Sequence, residues 1–150
     1  MKILIISPKN KTLYNFRGDL IKKIIKIGHK VYATGPNYSN IEEVNSLGVI
    51  FLKIPSKKSS FNIISDITYT IRLINKIKKI KPDLIFSYTI KPMIFGNIAA
   101  RISKVGVAYT MVTGMGRVFD NSSWKYKIIK RLLTPFIKFA LKKNERVIFQ

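Results

Sequence analysis

The chain has 150 residues, enough for one ordinary domain, and 47% of them are hydrophobic, so a core can form without metals or cross-links. It has no cysteine and a single histidine, which excludes disulfides, thiol catalysis, and zinc sites built from Cys or from several His. With 28 Lys and Arg against 7 Asp and Glu, the formal net charge of +21 favours an anionic partner, unless it reflects only an Ile-, Lys- and Asn-rich composition.

The opening "MKILIISPKN" is too short an apolar run for a secretory signal and has no small-residue cleavage site, so it reads as a first buried strand over Lys2–Ser7. A helix is predicted over Leu13–Ile27, burying Leu20, Ile21, Ile24, Ile25 and Ile27, with Gly28 as its stop. Strand two is Lys30–Thr34. A short helix, Ile41–Leu47, follows with Asn40 as N-cap and Gly48 as stop, then strand three, Val49–Ile54. After the polar, basic stretch "PSKKSS" a helix over Asn62–Ile80 sets Ile63, Ile64, Ile67, Ile71, Ile74 and Ile77 at helical spacing and ends before Pro82. Strand four is Leu84–Tyr88. The helix after it, Pro92–Ser103, carries small Gly96, Ala99 and Ala100 where it can approach a strand closely. Strand five, Val107–Val112, leads to a helix over Ser123–Lys143 with Pro135 as a kink, and Arg146–Phe149 is strand six.

The strand runs are continuously apolar, as in strands covered on both faces. Their strict alternation with helices predicts an α/β fold: a doubly wound, mostly parallel six-stranded Rossmann-like sheet, helices on both faces, order 3-2-1-4-5-6. Ligands bind such sheets outside the carboxyl ends of the strands, so the segments after strands one, four and five are where chemistry is expected. No stretch of about 18 residues is free of charge, which argues against a spanning helix.

"TMVTGMGRVF" asks whether Gly114 and Gly116 form a phosphate cradle. A dinucleotide fingerprint needs G-x-G-x-x-G after the first strand; that segment here is "SPKNKTLYNFRG", and Phe119 stands where the later pair would need a third glycine. A Walker loop is absent as well, so NAD and ATP rank low and no cofactor or metal is expected. Gly114 and Gly116 suit either a tight turn or close approach to a ligand. The carboxylates form no obvious acid/base pair: Asp83 and His29 lie at the amino ends of strands, Asp120 follows the glycine pair, and Asp19 reads as a helix N-terminal acid.

Six short motifs in order carry a resemblance along nearly the whole chain. They lie in "LYNFRGDLIKKIIKIGHKVYATGP", "KPDLIFSYTIKPMIFGNIAARISKVGV" and "TGMGRVF". They are an aromatic-Arg entry to helix one, Gly-His-x-Val into strand two, "PD" before and "KP" after strand four, "G-x-x-A-A", and "TG-x-G-x-x-F". Together they resemble the N-terminal half of a family 4 retaining glycosyltransferase of the GT-B fold. The branch in view builds capsule, lipopolysaccharide or glycan units on a polyprenyl diphosphate carrier.

The resemblance implies a nucleotide sugar held mainly by a second Rossmann-like domain and a lipid-linked acceptor against this one. It makes residues 1–150 a single acceptor-side domain without the C-terminal donor-binding domain, inactive alone, and its catalytic residues stay unknown. It places Lys91 on a phosphate of the acceptor, where a following helix N-terminus also favours anions, and puts Asn15 and Arg17 near the donor diphosphate. Thr113, Gly114, Gly116 and Arg117 could offer a hydroxyl, backbone and a guanidinium fork to sugar or phosphate. A basic, aromatic-flanked face marks Trp124, Lys127 and Arg131 as membrane contacts, and Lys57, Lys58 and Phe61 form a second candidate contact; each set reads equally as solvated surface.

The expected function is acceptor binding in the transfer of a sugar to a polyprenyl-diphosphate-linked saccharide, on the inner face of the cell membrane. Its partners are a nucleotide sugar, with a C-terminal domain or partner chain, that acceptor, and an anionic membrane surface. The alternative is a non-catalytic, membrane-associated half-transferase that binds a separate donor-binding subunit. Nucleic acid is not expected, because the charge has no recognition helix or RNA-binding aromatic motif beside it.

Overall fold

The computed structural model describes residues 1–56, 63–113, 124–142 and 145–150, with backbone alone for 63, 124–130, 132 and 133. The elements run β1 (Lys2–Ile6), α1 (Asn10–Lys26), β2 (Lys30–Gly35), α2 (Ile41–Asn45) and β3 (Ile50–Lys53) in the first half. Then come α3 (Ile63–Ile80), β4 (Leu84–Tyr88), a π-helical turn over Pro92–Gly96, α4 (Asn97–Ile102), β5 (Val107–Val112), α5 (Trp124–Leu141) and β6 (Arg146–Phe149).

All strand pairings are parallel and the order is β3-β2-β1-β4-β5-β6, the predicted doubly wound topology. Alternation along β1 explains its all-apolar sequence. Ile3 and Ile5 pack with Leu13 and Ile21 of α1 and Val44 of α2 on one face, while Leu4 and Ile6 pack with Tyr69, Leu73 and Ile77 of α3 and Ala99 of α4 on the other. A third cluster joins Met93, Ile94 and Val112 to Ile137 of α5, so α3, α4 and α5 share one layer. Central strands are buried almost throughout, whereas the edge strands β3 and β6 are only partly covered.

Local chemistry sets the ends. Gly28 and Gly48 follow α1 and α2 with φ of 87° and 79°, the left-handed region that glycine enters at little cost, and both act as the predicted stops. Asn40 is the N-cap of α2, but its side chain donates to Glu43 Oε1 rather than accepting a backbone N–H. Gly96 lies so near Ile6 that a Cβ would crowd the Ile6 side chain, the close approach expected of the "G-x-x-A-A" segment.

Four expectations are corrected. α1 begins at Asn10, leaving only Ser7, Pro8 and Lys9 as connection, because Asn10 is buried and donates its amide to the Asn37 and Ser39 carbonyls. Asp19 therefore lies in the middle of α1, exposed, and not in its first turn. Leu20 and Ile27 are exposed at 41% and 69%, since the buried line of α1 runs through Leu13, Arg17, Gly18 and Ile21. In α3 the buried line is Asp66, Tyr69, Leu73, Ile77 and Ile80, and the predicted Ile64, Ile67 and Ile71 face outward. That helix has isoleucines on two opposite faces, and the face able to pair Asp66 with Lys91 is the one turned inward.

Candidate functional site

The strand order reverses between β1 and β4, and a cavity of about 430 Å³ opens at the carboxyl ends of the sheet there. Thr12, Phe16 and Arg17 from α1, Tyr88 and Thr89 at the end of β4, Thr113 after β5 and Gln150 after β6 line it. This is the crevice where doubly wound sheets bind ligands.

Its floor is a hydroxyl network. Tyr88 donates its phenol proton to Ser7 Oγ at 2.6 Å, and Thr12 Oγ1 lies 3.0 Å from the same phenol and 3.1 Å from Ser7 Oγ. Ser7 and Thr12 both donate to the Lys9 carbonyl, at 2.8 and 2.7 Å, which ties the network to the entry of α1. Burial pushes the Tyr88 phenol above its ordinary range, opposed by the hydrogen bonds with Ser7 and Thr12 and by the Arg17 charge, so it remains protonated at neutral pH.

Arg17 forms one wall. It is 8% exposed, its guanidinium carbon sits 5.1 Å from the Tyr88 ring centre, and its nitrogens donate to the Phe16 carbonyl, Met111 Sδ and Gln150 Oε1. Its Nε is buried without a hydrogen-bond partner, and among the described residues no carboxylate pairs with it. A buried cation without a counter-ion carries a desolvation penalty of several kcal/mol, and an anion in the cavity would offset part of it. At the rim, Thr89 has φ of 67°, a left-handed conformation that strains a β-branched residue.

The predicted residues separate. Arg17 and Thr113 meet at the cavity. Asn15 does not join them: two residues from Arg17 is about 200° around a helix, and its side chain is exposed. Lys91 is held by Asp66 of α3 at 2.7 Å, with side chains 15% and 7% exposed, so it fastens α3 to the segment after β4. Gly114, Gly116, Arg117, Asp120, Lys57, Lys58 and Phe61 lie outside the described residues, as do the side chains of Trp124 and Lys127; Arg131 is exposed on α5. Sequence reasoning missed Thr12, Phe16, Tyr88, Thr89 and Gln150. "SYT", a polar ending on an apolar strand, was the signal available for the β4 pair. Among the described residues no three His, Cys, Asp or Glu side chains gather as a metal site, and no helix is long and apolar enough to cross a membrane.

A curated relative from Campylobacter jejuni, N,N'-diacetylbacillosaminyl-diphospho-undecaprenol alpha-1,3-N-acetylgalactosaminyltransferase, is 22% identical over 149 residues, or 99% of this chain and 40% of the relative. The chain thus spans less than half the length of that protein. A glycosyltransferase from Rickettsia africae superposes with a TM-score of 0.61 at 17% identity, covering 99% of this chain and 42% of that one. A UDP-GlcNAc 2-epimerase from Neisseria meningitidis does so with 0.63 at 18%, covering 99% and 46%. Likeness at this level establishes a Rossmann-like half of the GT-B architecture and, since an epimerase shares it, not the reaction. The sequence profile described as "Glycosyl transferase 4-like" matches residues 2–150, and on that match the chain belongs to the glycosyl transferase 4-like family.

Proposed function

We propose that the chain is the acceptor-side domain of a glycosyltransferase that moves a sugar from a nucleotide sugar to a polyprenyl-diphosphate-linked saccharide, working at the inner face of the cell membrane. The observation that carries the reading is Arg17: a buried guanidinium with no carboxylate partner among the described residues, walling a hydroxyl-lined cavity at the switch point of the sheet. A diphosphate supplies the missing negative charge, and Thr12, Thr89 and Thr113 can hydrogen-bond to phosphate or sugar oxygens. The Campylobacter relative, by its name, acts on an undecaprenol-linked diphosphate. Arg17, which the resemblance sets beside the donor diphosphate, in this reading orients the acceptor instead, and Lys91, placed by Asp66, is a second cation near the same strand ends.

The test is titration of the chain with a short-chain prenyl-diphosphate saccharide and, separately, with a UDP-sugar. The lipid-linked ligand is expected to bind, and Arg17→Met to weaken it at least about tenfold, the equivalent of one charge-assisted hydrogen bond. The variant should be as stable as the wild type, because removing a buried charge that has no counter-ion among the described residues relieves a desolvation penalty. Binding of the UDP-sugar alone, or equal binding by the variant, would overturn the reading.

A further inference from the structure

α3 is amphipathic in an unusual way: it is apolar on both sides. Taking about 100° per residue, Ile64, Ile67 and Ile71 fall within one narrow stripe opposite the buried Tyr69, Leu73 and Ile77. They are exposed at 78%, 54% and 51%, and no charged position interrupts them. Arg72, Lys78 and Lys79 are exposed on the same helix, and its only acid, Asp66, is buried against Lys91. The helix therefore presents three isoleucines and three cations to solvent, and no anion.

Two other faces compare poorly. On α1 the exposed Phe16, Leu20 and Ile27 are interrupted by Asp19 and Lys23, and Phe16 belongs to the cavity. On α5, among the described side chains, the large exposed apolar ones are Phe136 and Phe139, and the Arg101 guanidinium lies 4.0 Å from the Phe139 ring centre, so the pair is shared with a cation.

We propose that the outer face of α3, centred on Ile64, Ile67 and Ile71 and bordered by Arg72, Lys78 and Lys79, is the surface by which the protein lies on an anionic bilayer. Apolar residues enter the headgroup boundary while lysines and arginine stay among the lipid phosphates, the division of labour of an interfacial helix. Charge complementarity selects this occupant, because a chain of net charge +21 repels a second copy of itself and attracts an anionic leaflet. The direction of α3 fits as well. It runs antiparallel to the strands, so the isoleucine-bearing half lies at the carboxyl edge, near the cavity, and Lys2 near the start of β1 reaches the Ile80 carbonyl at the far end. Docking there brings the cavity to the membrane surface, where a lipid-linked ligand would present its diphosphate. The choice of a bilayer rests on the lipid-linked acceptor reading, but the experiment contains no acceptor, so the two can fail separately.

The full chain is mixed with vesicles of phosphatidylcholine, with and without phosphatidylglycerol. Binding is expected only to the anionic vesicles, and Ile64→Ser/Ile67→Ser/Ile71→Ser should lower it at least about tenfold with unchanged circular dichroism. Since the chain has no cysteine, Ile67→Cys can carry a polarity-sensitive fluorophore, with Ile27→Cys on the other layer as control. A blue shift on anionic vesicles at position 67 and none at position 27 supports the proposal even if the triple variant misfolds. Absence of vesicle binding by the wild type, or a shift at position 27 instead, overturns it. So does a variant that binds vesicles normally but loses self-association in sedimentation velocity, since the stripe would then cover a protein surface.

Discussion

Tyr69 stands on the inner face of α3, and burial, helped by the neighbouring Asp66 charge, pushes its phenol well above the ordinary value of 10.0. The folded state therefore holds this proton more tightly than the unfolded chain. The resulting stabilisation is complete below pH 10 and is lost as pH rises through the folded value. Urea unfolding between pH 8 and about pH 11 should show a steeper alkaline loss for wild type than for Tyr69→Phe, since the variant removes the titrating group and lysine titration is common to both. Identical slopes would mean that the phenol ionises without unfolding the helix. At this scale legibility was mixed. Arg17 and Thr113 could be picked from motif and strand position, but the motif that carries Arg17 also carries Asn15, and a motif match does not weigh angular spacing. The helix that holds both turns their side chains about 200° apart. Tyr88 was marked only by the polar "SYT" ending of β4, and Gln150 had no signal of its own, because only the parallel pairing of the strands brings the end of β6 beside α1.

The Asp66–Lys91 pair binds two elements. It joins the first turns of α3 to the segment that leaves β4, and both side chains are largely shielded from water. Breaking such a pair from one side leaves a buried charge behind. Asp66→Asn is expected to destabilise by about 3 kcal/mol in urea unfolding, and Asp66→Leu with Lys91→Met together by much less, because no charge is then stranded. A single-variant loss below about 1 kcal/mol would show the pair to behave as a surface contact. Lys91→Met alone should reduce both stability and acceptor use if the lysine also meets a phosphate, and stability only if its role is to hold α3. At the level of elements the strands were the most readable part, with β4, β5 and β6 beginning and ending where β-branched and aromatic runs do. Helices existed where predicted, but their buried faces did not follow. In a chain this rich in isoleucine a helix can offer two plausible apolar lines, and tertiary partners choose between them. For α3 the partner was Lys91; for α1 the start was set by Asn10, whose amide satisfies two carbonyls of the β2–α2 connection.

Strand order was inferable for the whole molecule because right-handed crossovers leave few ways to arrange six parallel strands with alternating helices. Net charge speaks to a different property. At +21 the folded chain repels itself, and the repulsion is greater in the compact state than in the expanded one, so screening should stabilise it. The Debye length falls from about 30 Å at 0.01 M salt to about 10 Å at 0.1 M, which spans distances between surface lysines. One kcal/mol of relief raises the melting temperature of a domain this size by roughly 2–4 °C, so sodium chloride should raise it by a few degrees across that range. Pyrophosphate at matched ionic strength separates general screening from a site. If the Arg17 cavity takes a diphosphate, pyrophosphate raises the melting temperature further, and Arg17→Met loses that increment while keeping the chloride response. An increment that survives in the variant would locate anion binding elsewhere on the basic surface and leave Arg17 as a structural charge.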